Sequence, residues 1–515
     1  MIHLYRRATF IGKMRYFFLD RNYNLTVRVS MILLCVLATL VTTFLFIGID
    51  EGKNPIPGFI PMLAIGGIAG LAVVYTNMEI FSVVVLMITM LVNDGIPTGS
   101  GTKATFTFVL LYVWLFIWLF RMIVVERKFE LRSTPVNIPI LLFCVMVVIA
   151  MIWSSIYPEP SVRYLLDSKL APRLMTTLVL IISPVTFIFY ANHVRHLRTL
   201  RFITWWFIVL GFAYMVIRIG LGNIPNPLNA KGQFPTWVGI IALGQLLFNK
   251  ELKLWLRGAL AATILGWFYI TMTLGISWLS GWLPLLLGFV AVIFFYSKRI
   301  VVLLGLLGVG YFILNLSAIQ ANFAREGEES GGTRSQAWQR VFNLTGRHFL
   351  FGTGPAGYHF YFTVNISGFF QLSHNNYIDI LAQTGVAGFT LWMLLWGAIG
   401  LSTWRLYRLI PYMGGGFQKG LAISLVASYF CTLVTMALGD WVTPFPYTQT
   451  LQGIDYTIWA WILPGLAVAL YYITKENMDA TAAAAPVISG LELPPGDHAA
   501  DLPLLPAPSQ PSPGK

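Results

Sequence analysis

The chain has 515 residues, of which 57% are hydrophobic, 15% aromatic and only 11% charged. Soluble domains carry about 25% charged residues, so a water-exposed surface of this size is excluded and the chain reads as an integral membrane protein. Its formal charge of +13 would suggest nucleic acid in a soluble chain, but no soluble basic face is visible. Here it raises the question of which side of a membrane holds the cations.

Residues 1–28 are basic, with no clean apolar core and no small-residue cleavage site. They read as a retained cytoplasmic segment, with the first span as an uncleaved signal anchor. A hydrocarbon core about 30 Å thick needs roughly 20 apolar residues per helical span. Runs of that kind predict spans near 29–49, 58–75, 77–93, 104–125, 137–156, 173–192, 202–221, 236–249, 258–275, 279–297, 300–317, 378–402, 420–439 and 458–474. The predicted fold is all-α, a polytopic membrane protein of about 12–14 transmembrane helices. It divides into a bundle over 29–317, one large loop over 318–377, C-terminal spans over 378–475 and a tail over 476–515. That tail is rich in Ala, Pro and Leu and reads as disordered. Cys35, Cys144 and Cys431 lie in apolar runs, which leaves no disulfide framework and no cysteine metal site.

With the N-terminus in the cytoplasm and alternating spans, 23 of the 34 Lys and Arg fall on the cytoplasmic face, as do both termini. Nine of the eleven outer-face cations lie at 163–173, 218–231 and 325–347. Such clustering suggests an anionic ligand, because arginine matches phosphate bidentately. Arg163, Arg173, Arg218, Lys231 and Arg340 are the candidate contacts. Local pairing with Glu159, Asp167, Glu326, Glu328 or Glu329, or with lipid headgroups, explains the same cations.

The outer loop 318–377 is far longer than most others, and long loops on a compact scaffold carry function. Within it, TRSQAWQRVFNL predicts an amphipathic helix capped by Thr333, with Ala337, Trp338, Val341 and Phe342 on one face. Such a helix could lie flat on the membrane surface. Of the seven histidines, His348, His359 and His374 fall on the outer face. His374 stands in SHNN immediately before a membrane helix, where an imidazole can exchange a proton at the membrane–water boundary. It reads either as a general base or as a residue that only anchors the helix end. Residues Gly352–Gly357 fit G-x-G-x-x-G by letter, but no strand–helix unit surrounds them, so they predict a turn and not a dinucleotide site. His359 and Tyr361 could line a sugar site, although packing explains them first. Asn226, Asn229 and Lys231 read as substrate contacts or a polar turn. Asp440 and Asp455 flank the last outer loop, where Trp441, Phe445 and Tyr447 read as interface anchors.

SHNNYIDILAQTGVAG resembles the signature of the bacterial O-antigen ligase and polymerase superfamily, H-[NSQ], nine residues, G, two residues, then G, T or Y. His374, Asn375, Gly385 and Gly388 match it. Upstream, Arg334, Trp338, Gly352 and Gly354 match the family's Arg-x-x-x-Trp helix and G-x-G turn. The motif-level similarity covers about 318–390, and the architecture extends it to most of 29–474. In one place the chain departs from the family. Where members carry a Ser-Arg-Gly-like motif with a pyrophosphate-binding arginine, this chain has Ser280, Gly281 and Trp282.

The resemblance implies an inverting, metal-independent glycosyltransferase of a bacterial inner membrane, with the large loop in the periplasm and no cofactor. Its donor would be a glycan on undecaprenyl pyrophosphate. Its acceptor would be a sugar hydroxyl on a glycan or lipid-glycan, and it would work among membrane lipids, with a polysaccharide assembly complex as a possible setting. His374 and Arg334 would be catalytic; Arg218, Arg340, Arg163, Arg173, Asn375 and Lys231 would bind substrate. The missing arginine leans the reading towards an exopolysaccharide or O-antigen polymerase over a ligase. Two other readings stand beside it, a lipid-linked oligosaccharide flippase and a non-catalytic assembly protein. A flippase would place ionisable groups mid-membrane, and here the spans hold almost none.

Overall fold

The computed structural model describes residues 77–92, 95–97, 103–125, 127–222, 224, 232–274, 279–314, 316, 332–365, 373–445 and 451–484. The basic N-terminal segment, the predicted spans at 29–49 and 58–75, Lys231 and the tail from 485 onwards lie outside the described residues.

The protein is an all-α polytopic membrane protein. Its first described helices are α1 (Met78–Leu91) and α2 (Phe106–Phe120), joined through a small antiparallel hairpin of β1 (Gly95–Pro97) and β2 (Lys103–Thr105). Then come α3 (Asn137–Ile156), α4 (Arg163–Ser168), α5 (Leu170–His193), α6 (Leu197–Leu221), α7 (Phe234–Phe248), α8 (Leu254–Tyr269), α9 (Leu279–Tyr296) and α10 (Lys298–Leu314). The loop region contributes α11 (Gly332–Arg347) and α12 (Tyr358–Asn365). The chain closes with α13 (Asn376–Leu409), α14 (Phe417–Leu438), the single turn α15 (Ile454–Thr457) and α16 (Trp459–Ala484). Each predicted span from 77 onwards falls on one of these helices. The α16 helix runs to Ala484, so the first residues of the predicted tail are helical.

Helices form because lipid offers backbone amides no partner, so each span must satisfy its own. Among the described residues, eight helices are long and apolar enough to cross a membrane, or nine if the bent pair 451–457 and 459–480 is one span. With 14 and 15 residues, α1 and α7 rise little more than about 20 Å at 1.5 Å per residue, short of a full bilayer core. The α5 and α14 spans are 67% buried, against 33–39% for the other six, so these two are the most enclosed of the eight, and α7 is buried along most of its length as well. Helices α7 and α14 approach through small residues. A Cβ on Gly244 would collide with Ser424 Oγ and lie 2.7 Å from the Gly420 carbonyl oxygen, the close approach that drives helix association where lipid removes any hydrophobic gain.

The inter-helix contacts sort the connections into two ends, as alternating spans require. At one end Arg132 donates to the Ala191 and Val194 carbonyls at 2.8 and 3.0 Å, and Glu79 accepts from the Arg195 and His196 amides. At the other, Arg173 meets Ser154, Gln233 meets Ser280, and His374 meets Asp440. The motif histidine belongs to this second end.

Candidate active site

The site starts from a break in α13. Gly385 sits at φ 65°, ψ −169°, which divides the helix into 376–384 and 386–409. A break leaves carbonyls orphaned on one side and amides on the other, and the turn after α11 satisfies both. Val386 and Ala387 donate to the Phe349 and Leu350 carbonyls at 2.9 and 3.2 Å. The Thr353 amide and hydroxyl both donate to the Ala382 carbonyl at 2.9 Å, and the Ala356 amide to Gln383 Oε1 at 2.9 Å. The G-x-G sequence follows from this interlock. Gly352 and Gly354 have φ of 68° and 81°, and a Cβ on Gly352 would lie 2.5 Å from the Gly385 amide nitrogen. The turn predicted over 352–357 is present, and its amides at 352, 353, 356 and 357 bind protein carbonyl or amide oxygens. Those of Thr353 and Ala356 hold the first half of α13, and those of Gly352 and Gly357 close the turn on His348 and Gly354.

That half-helix presents the histidine. Asn375 is its N-cap, with its side-chain oxygen accepting from the Tyr377 and Ile378 amides at 3.0 and 3.3 Å. His374, one residue earlier, has φ 45°, a strained left-handed backbone of the kind that concentrates at functional sites. Its Nδ1 lies 3.4 Å from Asp440 Oδ2, and its side chain is 39% exposed while that of Asp440 is 2% exposed. The imidazole is thus open on one side and backed by a buried carboxylate on the other. Nδ1 is the ring nitrogen turned to Asp440, and Nε2 lies on the other edge of the ring. Below, Asp379 Oδ1 accepts from Ser373 Oγ at 2.5 Å and from the Tyr358 hydroxyl at 2.6 Å. Burial, together with the nearby Asp379 and Asp440 carboxyls, holds the Tyr358 phenol well above its ordinary value, so it stays a donor. Asn376 ties the Asp440 loop to the same helix, donating to the Thr443 carbonyl at 2.8 Å and accepting from the Val442 amide at 2.9 Å.

The amphipathic helix predicted at 333–344 is α11, but its buried face is shifted. Ala337, Val341 and Leu344 are buried, while Phe342 is 53% exposed. The helix packs in a cluster with Val162, Leu166, Tyr358 and Ile378, and Trp338 Nε1 donates to the Ser373 carbonyl at 2.8 Å, one residue from His374. This explains why a tryptophan is placed there: its indole fixes the loop helix to the histidine's backbone.

The other candidate residues are spread around this end. Arg173 is 1% exposed and donates through Nη2 to Ser154 Oγ at 2.5 Å. Gly354 packs on the same serine, so Arg173, a predicted substrate contact, reaches the serine that this turn rests on. Arg218 donates to the Gly222 carbonyl at 2.5 Å, at the end of its own helix. Arg163 is exposed at the start of α4, and Arg340 is partly exposed on α11. Arg334 lies in the first turn of α11, with its side chain outside the described residues. Local pairing holds for Arg347, whose Nη1 lies 3.3 Å from Glu159 Oε2, while His348 Nε2 lies 2.9 Å from the other oxygen. Ser280, where the family's arginine motif was sought, is buried and accepts through its carbonyl from Gln233 Nε2 at 2.6 Å. The neighbouring Gly232 packs on Trp441 and Tyr456, so this stretch borders the Asp440 loop. No group of His, Cys, Asp and Glu that could hold a metal occurs among the described residues.

Asp379, Ser373 and Tyr358 were not legible as site residues, and Asp440 was legible only as a loop-flanking acid. The available signal was the cost of an acid at the end of an apolar span, which is a functional pointer by itself. His359 is buried, and burial lowers its pKa to about 4 from 6.5. The folded protein therefore refuses a proton that the unfolded chain accepts, and stability is lost as the pH falls from 6.5 towards 4. Thermal unfolding followed across that window should show a smaller loss in His359→Gln than in the natural chain. Parallel curves would contradict this.

A family model described as O-antigen ligase matches residues 259–393. The match covers about a quarter of the chain and agrees with the resemblance to the O-antigen ligase and polymerase superfamily. The matched stretch contains Arg334, Trp338, Gly352, Gly354, His374, Asn375, Gly385 and Gly388, and ends before Asp440. No curated protein matches the chain.

Proposed function

We propose that this chain, with its O-antigen ligase segment, transfers a glycan from a polyprenyl pyrophosphate donor to a sugar hydroxyl at the periplasmic face of a bacterial inner membrane. Both termini are then cytoplasmic. The observation that carries the reading is His374, strained, accessible and backed by buried Asp440 at the end of the helix that the family motif builds.

The chemistry follows from the charges that develop. His374 Nε2 removes the acceptor proton as the hydroxyl attacks the anomeric carbon. Asp440 holds the ring and offsets the imidazolium that forms, as a carboxylate does beside any histidine base. The bond to the pyrophosphate breaks on the opposite side, so one in-line displacement inverts the anomeric centre. The leaving pyrophosphate gathers negative charge, which Arg334, Arg340, Arg163, Arg218 and Lys231 would neutralise. Asn375 fixes the helix end beneath the base. A positioned base and cationic residues supply the step without a metal. The polymerase reading makes the acceptor a second lipid-linked unit, and the ligase reading a different lipid-glycan. A polymerase is favoured because Ser280–Trp282 lacks the arginine of the ligase-type motif.

Arg334→Ala tests the pyrophosphate role. Cells carrying it, with membrane expression verified, should accumulate single lipid-linked units and lose long-chain polysaccharide. Normal polymer at normal expression would contradict the assignment.

A further inference from the structure

Towards the end of the bundle opposite His374 lies a groove that the transfer step does not use. It runs between the second half of α9, the second half of α13 and the middle of α14, with a volume of about 480 Å³, within the range of ligand sites. Leu287 and Phe294 of α9, Trp404 and Tyr407 of α13, and Val426 and Phe430 of α14 line it. The walls are almost wholly apolar. Two polar groups among them are already spent: Tyr429 donates its hydroxyl to the Trp396 carbonyl at 3.0 Å, and Cys431 its thiol to the Pro284 carbonyl at 3.1 Å. Leu287, Phe294, Trp404, Tyr407 and Phe430 are exposed, so the groove opens sideways, where the hydrocarbon lies.

Cations stand at its far end. The stretches 297–299 and 400–419 contain Lys298, Arg299, Arg405, Arg408 and Lys419 and neither Asp nor Glu. Lys298 Nζ lies 5.6 Å over the Phe294 ring, and Arg405 and Arg408 directly follow Trp404 and Tyr407. Phe295 and Tyr407 bring the ends of α9 and α13 together, at 5.8 Å between ring centroids. Lys298, Arg405 and Arg408 are exposed, and among the described residues none of them forms an ion pair. Positive charge at one end of a bundle by itself only orients the chain. Here it stands at the mouth of an apolar slot, and basic pockets between spans hold anionic lipid headgroups.

We propose that this groove binds one anionic diacyl phospholipid of the leaflet at that end, with an acyl chain along α9, α13 and α14 and the phosphate among Lys298, Arg405 and Arg408. The site is independent of the transferase reading, and its test needs no activity. Brominated acyl chains quench tryptophan on contact. Trp404 lines the groove, so the difference in fluorescence between the natural chain and Trp404→Phe reports this site alone. With the full chain in detergent, brominated phosphatidylglycerol should quench that signal saturably, at about a tenth or less of the concentration that brominated phosphatidylcholine needs. Arg405→Gln combined with Arg408→Gln should weaken phosphatidylglycerol about tenfold or more, the joint effect of two cations near an anionic headgroup, and leave phosphatidylcholine unchanged. Ala291, another wall residue, tests the slot. Ala291→Phe fills it with the cations in place and should abolish quenching by both lipids. Arg198→Gln removes an exposed cation at the same end, on α6, and should change nothing. The glutamine variants alter only exposed side chains, so they keep the test decisive if Ala291→Phe fails to fold. Equal half-points for the two lipids, or a loss in Arg198→Gln as large as in the double variant, would overturn the proposal by reducing the cations to general surface charge. Tighter quenching by a brominated polyprenyl phosphate would overturn it in favour of the donor's tail. A dimer that Ala291→Phe disrupts would overturn it in favour of a second copy of the chain.

Discussion

Replacing His374 with asparagine is expected to lower glycan transfer by about 10²–10⁴-fold, the contribution of a positioned general base, in a protein that still folds and inserts. Asparagine is the informative choice because it tolerates left-handed backbone better than most residues, and His374 stands at φ 45°. The side chain is 39% exposed, so its removal opens no cavity in the core. The loss should appear in kcat with little change in KM, since the base acts on the acceptor proton in the transition state and contributes little to ground-state binding. A rise in KM alone would instead make His374 a binding residue. Asp440→Asn should follow the same direction, because an amide no longer offsets the imidazolium.

The second large effect is on folding. Gly385→Ala should destabilise the protein by about 3 kcal/mol or more and abolish activity with it. At φ 65°, ψ −169° the backbone lies in a region that is essentially glycine-only, which costs of order 1–3 kcal/mol for any other residue. The added Cβ would also lie 2.5 Å from the Leu350 carbonyl carbon and oxygen and 2.6 Å from the Gly352 nitrogen, all backbone atoms with nowhere to go. Gly397→Ala on the same helix is the control. A Cβ there meets nothing within 4 Å, and alanine is the better helix former by about 1 kcal/mol. Detergent-solubilised melting should separate the two variants clearly. Equal melting temperatures would show that the break is not held by close approach to the turn.

The two variants also mark what the sequence makes legible. Spans are local: each needs only its own run of apolar residues, so every predicted segment from 77 onwards lies on a helix. The motif residues are also local, and Gly385 and Gly352 were identifiable as matching glycines. Their reason for being glycine was not, because it is the contact between them, 33 residues apart along the chain. Asp440 stands 66 residues from His374, and no spacing rule links the end of one span to the start of another. Arg173 shows a related limit. Its charge predicted a ligand contact, and only the fold shows that it is buried and donates to Ser154. Phe342 was assigned to the buried face of α11 on periodicity, yet Leu344 takes that place. A single helix pattern fixes the spacing of an apolar stripe more firmly than its phase, and the phase here is set by Trp338 reaching Ser373.

The central claim is that the end of the bundle carrying His374 performs transfer and not transport. The direct measurement uses purified protein in nanodiscs, which have no separated compartments, with a polyprenyl-pyrophosphate-linked glycan and an acceptor glycan. The natural chain should release the polyprenyl pyrophosphate and extend the acceptor with inversion at the new linkage, in the presence of a chelator, while His374→Asn leaves both substrates intact. Unchanged donor with the natural chain, alongside movement of the same donor across a sealed vesicle membrane, would contradict the account.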